Sequence, residues 1–424
     1  MRHSWQEKMV SEIGEVVSGG TPSTQVEAFW NGEVNWITPT DLSKLNYPKI
    51  EGSKKKITKL GLSNSSANLI PAKSIVMSSR APIGYFAIPS IEYSTNQGCK
   101  SIILNNDEDV IFHYYNFLFN VFTFKNRGEG TTFAEISKKA IEILKFQVPP
   151  LPQQKKIAQI LSTCDTVLEH TEAAIAKYQA LKQGMLHDLF TRGIDIQTGQ
   201  LRPSYEEAPE LYKETELGFV PVDWEVRDLL SITSLITDGA HFSPIPQEKG
   251  MPIGNVKDIK NGKIDYDNCT RILPQVFEEL KRQNCSPKID DVLLSKDGTI
   301  GRVVHFTDSI PIVLLSSIAI IRPNELAFPG YLATILKSEF FDKELYKLLS
   351  GSALKRITLR DIQKIKMPYP KEIEEQEIIA NRIKSITDKI QTEQQTLAKY
   401  EQLKTGLMQD LLSGVVGVEG LIED

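Results

Sequence analysis

Residues 175–190 read IAKYQALKQGMLHDLF, and residues 397–412 read LAKYEQLKTGLMQDLL. The two copies start 397 − 175 = 222 positions apart in a chain of 424 residues, and eight of their sixteen positions are identical. A repeat this long indicates duplication of a whole unit, because solenoid repeats have periods of about 20 to 50 residues. The duplication predicts approximate twofold symmetry, which suits a target with two half-sites.

The repeat extends over most of the chain, with offsets between 217 and 222. Its order is domain, helix, domain, helix, and the helical copies agree better than the domain copies. This difference indicates a shared role for the helices and a specialised role for each domain. The further matches are residues 151–158 with 373–380, Trp5 with Trp224, residues 75–84 with 292–301, and residues 130–149 with 351–370.

Two long helices are predicted from an apolar stripe with 3-4 spacing, and prolines 149, 150 and 152 mark the start of the first. Each would have about 40 residues, and a soluble helix of that length needs a partner. We therefore predict an antiparallel pair whose packing explains the stripe; a role as a spacer is compatible with it. Lys182 and Lys404 interrupt both stripes at the same place. The packing positions are Ile157, Leu161, Leu168, Ile175, Tyr178, Leu189, Ile379, Ile383, Ile390, Leu397, Tyr400 and Leu411.

The predicted fold class is α+β, with two similar mixed domains joined by two long antiparallel helices. Short β-like runs, such as residues 74–77 and 292–294, alternate with turn residues in both domains. The segment 193–223 is rich in Pro, Gly and Glu and is predicted to be a linker. The predicted segments are a first domain at 1–150, a helix with the start of the linker at 151–205, a second domain at 206–370 that includes linker residues 206–223, and a helix with a tail at 371–424.

The distribution of charge permits nucleic-acid binding despite a net charge of −5. Residues 1–150 contain 16 basic and 14 acidic side chains, and residues 224–370 contain 20 and 18, so each domain carries +2. Residues 193–223 contain 2 and 7, and residues 371–424 contain 6 and 11, so each of these segments carries −5. Weakly positive domains are compatible with DNA binding and indicate that partners supply further phosphate contacts.

Other features of the sequence exclude several classes of protein. No run of eighteen apolar residues predicts a membrane span, and the polar N-terminus does not resemble a signal peptide. The four cysteines are scattered, so neither a zinc site nor a disulfide framework is indicated, and we expect a cytoplasmic protein. No phosphate-binding loop, dinucleotide fingerprint or His-x-x-x-His pair occurs. We therefore expect no catalytic residues, no metal ligands and no cofactor bound by this chain.

Polar loops at equivalent places in the two domains are the candidate DNA contacts. Arg80 suits guanine and Asp297 suits the amino group of cytosine, but the alternative of a polar turn after a buried strand is equally favoured. The alternative interpretation of the lysine cluster 54–56 is a solvated face. The alternative interpretation of Asn96 and Gln97 is a cap of a turn. Glycine-containing loops with hydroxyl and basic side chains suit phosphates. The candidates are Lys54, Lys55, Lys56, Ser79, Arg80, Asn96, Gln97, Arg127, Thr131, Thr132, His241, Lys296, Asp297, Arg302, Lys355, Arg356 and Arg360.

Several of these stretches resemble the specificity (S) subunits of type I restriction–modification systems. Residues 18–23 (SGGTPS) and 29–42 (FWNGEVNWITPTDL) are similar to the start of a target-recognition domain, as are residues 216–226 (ELGFVPVDWEV). The run PPLPQQKKIA at 149–158 is similar to the central region of that family, although Gln153 stands where glutamate is usual. Glu375 keeps that glutamate in the second copy. The second domain has Asp238-Gly239-Ala240-His241 in place of Gly-Gly-Thr-Pro, as expected for a different target.

The resemblance implies a non-catalytic, sequence-specific DNA-recognition subunit. Each domain would recognise one half of a bipartite, asymmetric site in double-stranded DNA, and the helices would set the gap between the halves. The helices would also dock two modification (methyltransferase) subunits, and restriction subunits would add ATP-driven translocation and cleavage. S-adenosylmethionine, ATP and magnesium are expected on these partner subunits.

Three alternatives remain at this point. A DNA-binding subunit of another defence system with the same layout would be distinguished by its genomic neighbours. A fused methyltransferase is disfavoured by the missing cofactor motifs, and tight S-adenosylmethionine binding would revive it. A coiled-coil scaffold without DNA contact does not explain why the helices agree better than the domains.

Overall fold

The fold is described by a computed structural model that covers residues 5–128, 134–350 and 356–422. The chain divides into two units, residues 1–174 with 394–424 and residues 175–393. Each unit therefore combines one globular domain with part of each long helix. These helices are α7, Leu151–Thr191, and α12, Ile373–Leu412, with 41 and 40 residues. Their predicted lengths are confirmed.

The first unit contains mixed sheets and short helices. Its strands are β1 Gln6–Met9, β2 Gly14–Ser18, β3 Trp30–Ile37, β4 Lys49–Ile50, β5 Lys55–Ile57, β6 Ile75–Ser78, β7 Phe86–Pro89, β8 Tyr93–Thr95, β9 Cys99–Leu104 and β10 Lys145–Val148. Its helices besides α7 and α12 are α1 Val10–Ile13, α2 Pro39–Leu42, α3 Lys59–Ser63, α4 Val110–Phe119, α5 Val121–Lys125 and α6 Lys138–Glu142, and Glu27–Phe29 and Glu419–Leu421 form single 3₁₀ turns.

The second unit repeats this plan after two additional hairpins. Its strands are β11 Ile194–Asp195, β12 Gln200–Leu201, β13 Tyr212–Thr215, β14 Gly218–Pro221, β15 Trp224–Asp228, β16 Thr233–Asp238, β17 Met251–Gly254, β18 Ile259–Lys260, β19 Lys263–Ile264, β20 Thr270–Ile272, β21 Val292–Ser295, β22 Val303–His305, β23 Val313–Leu314, β24 Ile318–Pro323 and β25 Lys366–Pro370. Its helices are α8 Pro274–Arg282, α9 Pro329–Ile335, α10 Glu339–Ser350 and α11 Leu359–Gln363, and Pro209–Leu211 and Val256–Asp258 form 3₁₀ turns.

The strand orders of the two units correspond. The main sheet is β2-β9-β6-β7-β4 in the first unit and β16-β24-β21-β22 in the second. A three-stranded sheet follows the order β5-β3-β8 in one and β20-β17-β23 in the other, and in both the last pair is parallel. The strands β6 and β21 are fully buried because both faces of the central strand are covered, which explains their continuous apolar runs. The predicted α+β fold class is confirmed.

The apolar core of each unit includes both long helices. In the first unit, Ile157 and Leu161 near the start of α7 share a cluster with Leu411 and Leu412 at the end of α12. In the second unit, Leu186 and Leu189 near the end of α7 share a cluster with Ile379 and Ile383 near the start of α12. In each unit, therefore, the beginning of one helix lies beside the end of the other, which is an antiparallel arrangement.

The predicted packing positions differ in burial. Ile157, Leu161, Leu168, Ile175, Leu189, Ile379, Ile383, Ile390 and Leu411 are buried. Leu397 and Tyr178 are half-buried, and the ammonium group of Lys389 lies 5.7 Å from the centre of the Tyr178 ring. Tyr400, another predicted packing position, is 37% exposed.

The segment predicted as a linker is part of the second unit, and a buried carboxylate holds it in place. Arg202 Nη1 donates to Glu375 Oε1 at 2.5 Å, and the indole Nε1 of Trp224 donates to Glu375 Oε2 at 3.1 Å. The backbone nitrogen of Ile194 donates to Glu375 Oε1 at 2.7 Å. Glu375, which the family resemblance singled out, thus joins the start of α12 to the hairpins that precede the second domain.

Candidate nucleic-acid interface

Both units contain the same tight turn at the end of the buried central strand. In the first unit, Ser78 Oγ accepts from the backbone nitrogen of Tyr85 at 2.9 Å and donates to the carbonyl of Pro82 at 2.8 Å. In the second unit, Ser295 Oγ accepts from the backbone nitrogen of Arg302 at 2.8 Å and donates to the carbonyl of Thr299 at 2.6 Å. These serines fix two equivalent turns, each of which begins with a pair of residues that differs between the copies, Ser79-Arg80 and Lys296-Asp297.

An ion cluster surrounds the turn of the first unit. Arg80 Nε donates to Glu135 Oε2 at 2.8 Å, and the Arg80 side chain is 48% exposed. Lys100 Nζ lies 3.5 Å from Glu135 Oε1 and 3.3 Å from Ser79 Oγ, and its side chain is 7% exposed. Two cations therefore share one carboxylate, which leaves excess positive charge beside an exposed guanidinium group.

A second ion cluster surrounds the turn of the second unit. Lys296 Nζ lies 3.1 Å from Asp238 Oδ2 and 3.7 Å from Asp297 Oδ2, and its side chain is 2% exposed. Arg356 Nε lies 3.5 Å from Asp297 Oδ1, and His241 Nε2 lies 3.0 Å from Asp238 Oδ1. Arg356 and His241 are the exposed members, with side chains 56% and 70% accessible.

The two clusters occupy equivalent positions, and the acidic and basic members of one ion pair are exchanged between them. An isolated backbone bridge joins Arg80 to Glu135 in the first unit and Asp297 to Arg356 in the second. The residue that follows the bridge, Ile136 or Ile357, donates its backbone N–H to the carbonyl of Ser79 or Lys296, respectively. One framework therefore presents arginine on the turn and glutamate on the loop in one copy, and aspartate on the turn and arginine on the loop in the other.

The predicted candidates differ in burial and in their structural partners. Ser79 is fully buried, and Arg302 Nη1 donates to the carbonyls of Val256 and Ile259 at 3.1 and 2.7 Å. Asn96 Oδ1 accepts a hydrogen bond from the backbone nitrogen of Gly98 at 3.1 Å, and Gln97 Oε1 accepts one from Thr21 Oγ1. The exposed candidates are Lys54, Lys55, Lys56, Gln97, Arg80, Arg127, His241, Arg356 and Arg360. Thr131, Thr132 and Lys355 lie outside the described residues.

Three members of the clusters were not among the predicted candidates. They are Lys100, Glu135 and Asp238. Glu135 and Arg356 lie at equivalent positions, so the charge reversal within the repeat was a usable signal for Glu135. Lys100, on β9, gave no such signal, because the ammonium group of the second cluster belongs to Lys296, which follows β21, the counterpart of β6.

The described part of the chain offers no metal site. No group of three His, Cys, Asp or Glu residues in the ranges 5–128, 134–350 and 356–422 is placed to hold a metal ion. No helix within those ranges is both long enough and apolar enough to span a membrane.

The two units thus share one framework and present different charged groups on it. The family model described as the type I restriction modification DNA specificity domain matches residues 3–177 and again 221–402. The chain therefore belongs to the type I restriction–modification specificity family. Members of this family are non-catalytic subunits that recognise the DNA target, while partner enzymes carry the catalytic activity, so the prediction that this chain is not an enzyme is confirmed.

Individual relatives agree with this assignment. The MjaIX type I restriction enzyme specificity subunit of Methanocaldococcus jannaschii is 26% identical over 430 residues, covering 98% of this chain and 94% of the relative. The MjaVIII specificity subunit of the same organism is 29% identical, covering 75% and 72%. The EcoR124I/EcoR124II specificity subunit of Escherichia coli is 30% identical over 42% of this chain and 45% of its own length.

Solved structures share the fold. The type I restriction–modification S subunit from M. genitalium matches with a TM-score of 0.61 at 16% identity, covering 96% of both chains. A chain from a structural study of assembly and conformational transition of the type I system matches with a TM-score of 0.55 at 17% identity, covering 97% of this chain and 98% of the other.

Proposed function

We propose that each domain recognises one half of a bipartite, asymmetric site in double-stranded DNA from the major groove. The observation that carries this proposal is the reversed ion pair at one structural position, Arg80 with Glu135 and Asp297 with Arg356. Guanine offers two acceptors to an arginine, whereas an aspartate accepts from the amino group of cytosine. Two copies of one framework with opposite groups would therefore select different bases.

The remaining exposed cations suit the DNA backbone. Lys54, Lys55 and Lys56 lie along and beside β5, the edge strand of the three-stranded sheet, and their side chains are exposed. Arg127 is exposed just after α5, and Arg360 is exposed on α11. Phosphate contacts of this kind would set the position and orientation of each domain without selecting a base.

The long helices would hold the two readers at a fixed separation and dock partner proteins. Two modification subunits would bind along the helices, with restriction subunits attached to the same complex. S-adenosylmethionine, ATP and magnesium would be bound by those partners, and this chain would bind none of them. The support is the internal repeat, since the helical copies are more alike than the domains and so suit two copies of one partner.

Exchange of a single domain tests the proposal. Residues 1–150 are replaced by the first domain of another family member, and the chimera is reconstituted with the modification subunit. The modified DNA sites are then compared with those of the parent complex. A change confined to one half-site supports the proposal, and a change in both halves contradicts independent recognition by the two domains.

A further inference from the structure

A cleft of about 440 Å³ in the second unit lies between α7, α9, α12 and β22. Its walls include Lys182 from α7 and Lys337, which follows α9. An adjoining hollow is lined by the same two lysines together with Arg302, Lys260 and the turn at Gly262. A Cβ built on Gly262 would lie 3.8 Å from Lys337 Nζ, which places that ammonium group beside the β18–β19 hairpin.

The two lysines lack a counter-ion within the described ranges. No carboxylate there forms an ion pair with Lys182 or Lys337, and neither ammonium group has a hydrogen-bond acceptor. The other lysines that line the two hollows are neutralised, Lys384 by Asp388 at 2.5 Å and Lys260 by Asp265 at 2.6 Å. The charges of Lys182 and Lys337 therefore remain uncompensated.

The first unit shows how the equivalent lysine is neutralised. Lys404 stands 222 positions after Lys182 (182 + 222 = 404) and forms an ion pair with the buried carboxylate of Asp165. Tyr115 also donates its hydroxyl to Asp165, at 2.5 Å. The counterpart of Asp165 in the second unit is Thr387 (165 + 222 = 387), which is neutral and lines the cleft. Both copies therefore contain the lysine, but only the first has an acid at the position that faces it.

The uncompensated lysines repel one another in a partly desolvated place. Burial and, to a smaller extent, the charge of Lys182 together lower the pKa of Lys337 to about 8. Burial also lowers the pKa of Lys182. Much of the Lys337 side chain is exposed, so the desolvation concerns the surroundings of its ammonium group rather than the whole residue. An anion placed between the two groups would remove this electrostatic cost.

We propose that this cleft binds a phosphate group between the ammonium groups of Lys182 and Lys337. A phosphate offers several acceptor oxygens to two point charges, and lysine is a common phosphate ligand. The backbone of Arg302, on the wall of the adjoining hollow, donates to Ser295 Oγ, so this wall belongs to the same hairpin turn that carries Lys296 and Asp297. The phosphate comes from the DNA backbone or from free phosphate, and only the DNA source rests on the proposed function.

The variant Thr387→Asp tests the site without removing either lysine, because it restores the carboxylate that the first unit has. The full chain is reconstituted with its modification subunit, and its affinity for target DNA is measured between 50 and 200 mM salt. If DNA supplies the phosphate, the slope of log affinity against log salt becomes shallower by about 0.9, the value for one phosphate contact. The recognised sequence stays the same, because a phosphate contact carries no base information.

A second measurement addresses free phosphate. Broadening of the ³¹P signal of inorganic phosphate is recorded with the full chain alone and with its variants. The double variant Lys182→Met/Lys337→Met is expected to behave like Thr387→Asp in both measurements. The matched control is Lys389→Met. It removes a cation of α12, the helix that carries Thr387, and Glu393 already neutralises this cation at 2.6 Å.

Each outcome decides the proposal. A shallower salt slope assigns the phosphate to DNA, and loss of ³¹P broadening with unchanged DNA affinity assigns it to free phosphate. If neither the salt slope nor the ³¹P broadening differs from that of Lys389→Met, the proposal is overturned. It is also overturned if the variants weaken only assembly with the modification subunit, because the ligand would then be a group of that protein. Failure of the two-domain recognition model would instead appear as a missing bipartite motif in the parent chain.

Discussion

Gln154 and Gln376, which lie 376 − 154 = 222 positions apart, make the same two backbone hydrogen bonds in the two units. Gln154 Nε2 donates to the carbonyl of Pro149 and its Oε1 accepts from the backbone nitrogen of Asp109, at 2.9 and 2.8 Å. Gln376 does the same with Pro370 and Phe328, at the same distances. Each glutamine thus joins the first turn of a long helix to the last strand of its domain and to the N-cap of α4 or α9.

We expect each of Gln154→Ala and Gln376→Ala to lower the free energy of unfolding by about 2 to 4 kcal/mol, because each leaves buried backbone groups without a partner. Denaturant unfolding of the full chain measures the effect. The control is Gln159→Ala, an exposed glutamine of the same helix as Gln154, which should change stability by less than about 0.5 kcal/mol. Equal behaviour of Gln154→Ala and Gln159→Ala would contradict the structural role.

The reversed ion pair predicts effects on separate half-sites. Arg80→Ala should relax base selection in one half-site at a cost of about 1 to 3 kcal/mol. Asp297→Ala is the matched variant and should relax selection in the other half-site only. Competition binding with singly substituted duplexes measures both. A uniform loss of affinity across all sequences would identify Arg80 as a phosphate contact instead.

The length of the helices should set the gap between half-sites. Four residues inserted after Ala176 and again after its equivalent Ala398 (176 + 222 = 398) extend each helix by about 6 Å. The gap should lengthen by about two base pairs at roughly 3.4 Å each, with both half-sites retained. Sequencing of the methylated sites of the reconstituted complex gives the spacing, and an unchanged gap would contradict the spacer role.

The buried network around Glu108 predicts a dependence of stability on acid pH. Burial raises the pKa of Glu108, but hydrogen bonds from His113, Lys8 and Gln154 outweigh it and lower the pKa from 4.5 to about 2. The carboxylate therefore stabilises the fold fully above pH 4.5 and loses this effect as the pH falls towards 2. Glu108→Gln should be less stable at neutral pH, and its deficit should shrink over that range.

Urea unfolding at several pH values measures the Glu108 deficit. Glu15→Gln, at an exposed position of β2, serves as the control and should run parallel to the parent chain. A constant difference between Glu108→Gln and the parent from pH 4.5 downwards would show that the carboxylate is not held in its charged form.

The sequence predicted the parts of the fold that depend on local pattern and on the repeat. The apolar stripes predicted two helices of about 40 residues, the lengths of α7 and α12, and the runs at 74–77 and 292–294 located the central strands. The segment 193–223 was harder, because its hairpins are held by Arg202 and Glu375, residues 173 positions apart. Such a contact leaves no periodic signal.

The candidate site was predicted only in part. Arg80 and Asp297 stand out because they differ at one position of the repeat, whereas their partners depend on which loop lies beside the turn. The same reason hid the role of Lys404: its place in the stripe was visible, but its pairing with Asp165 required the antiparallel helices. Burial was also inaccessible from the pattern, as with the fully buried Ser79.

Selection of bound sequences from random duplex DNA tests the central claim most directly. The full chain is reconstituted with its modification subunit, and the enriched sequences are aligned. Recognition by two domains predicts two different short motifs separated by a gap of fixed length. A single continuous motif, or no enrichment, would contradict the account and assign the duplicated architecture to assembly alone.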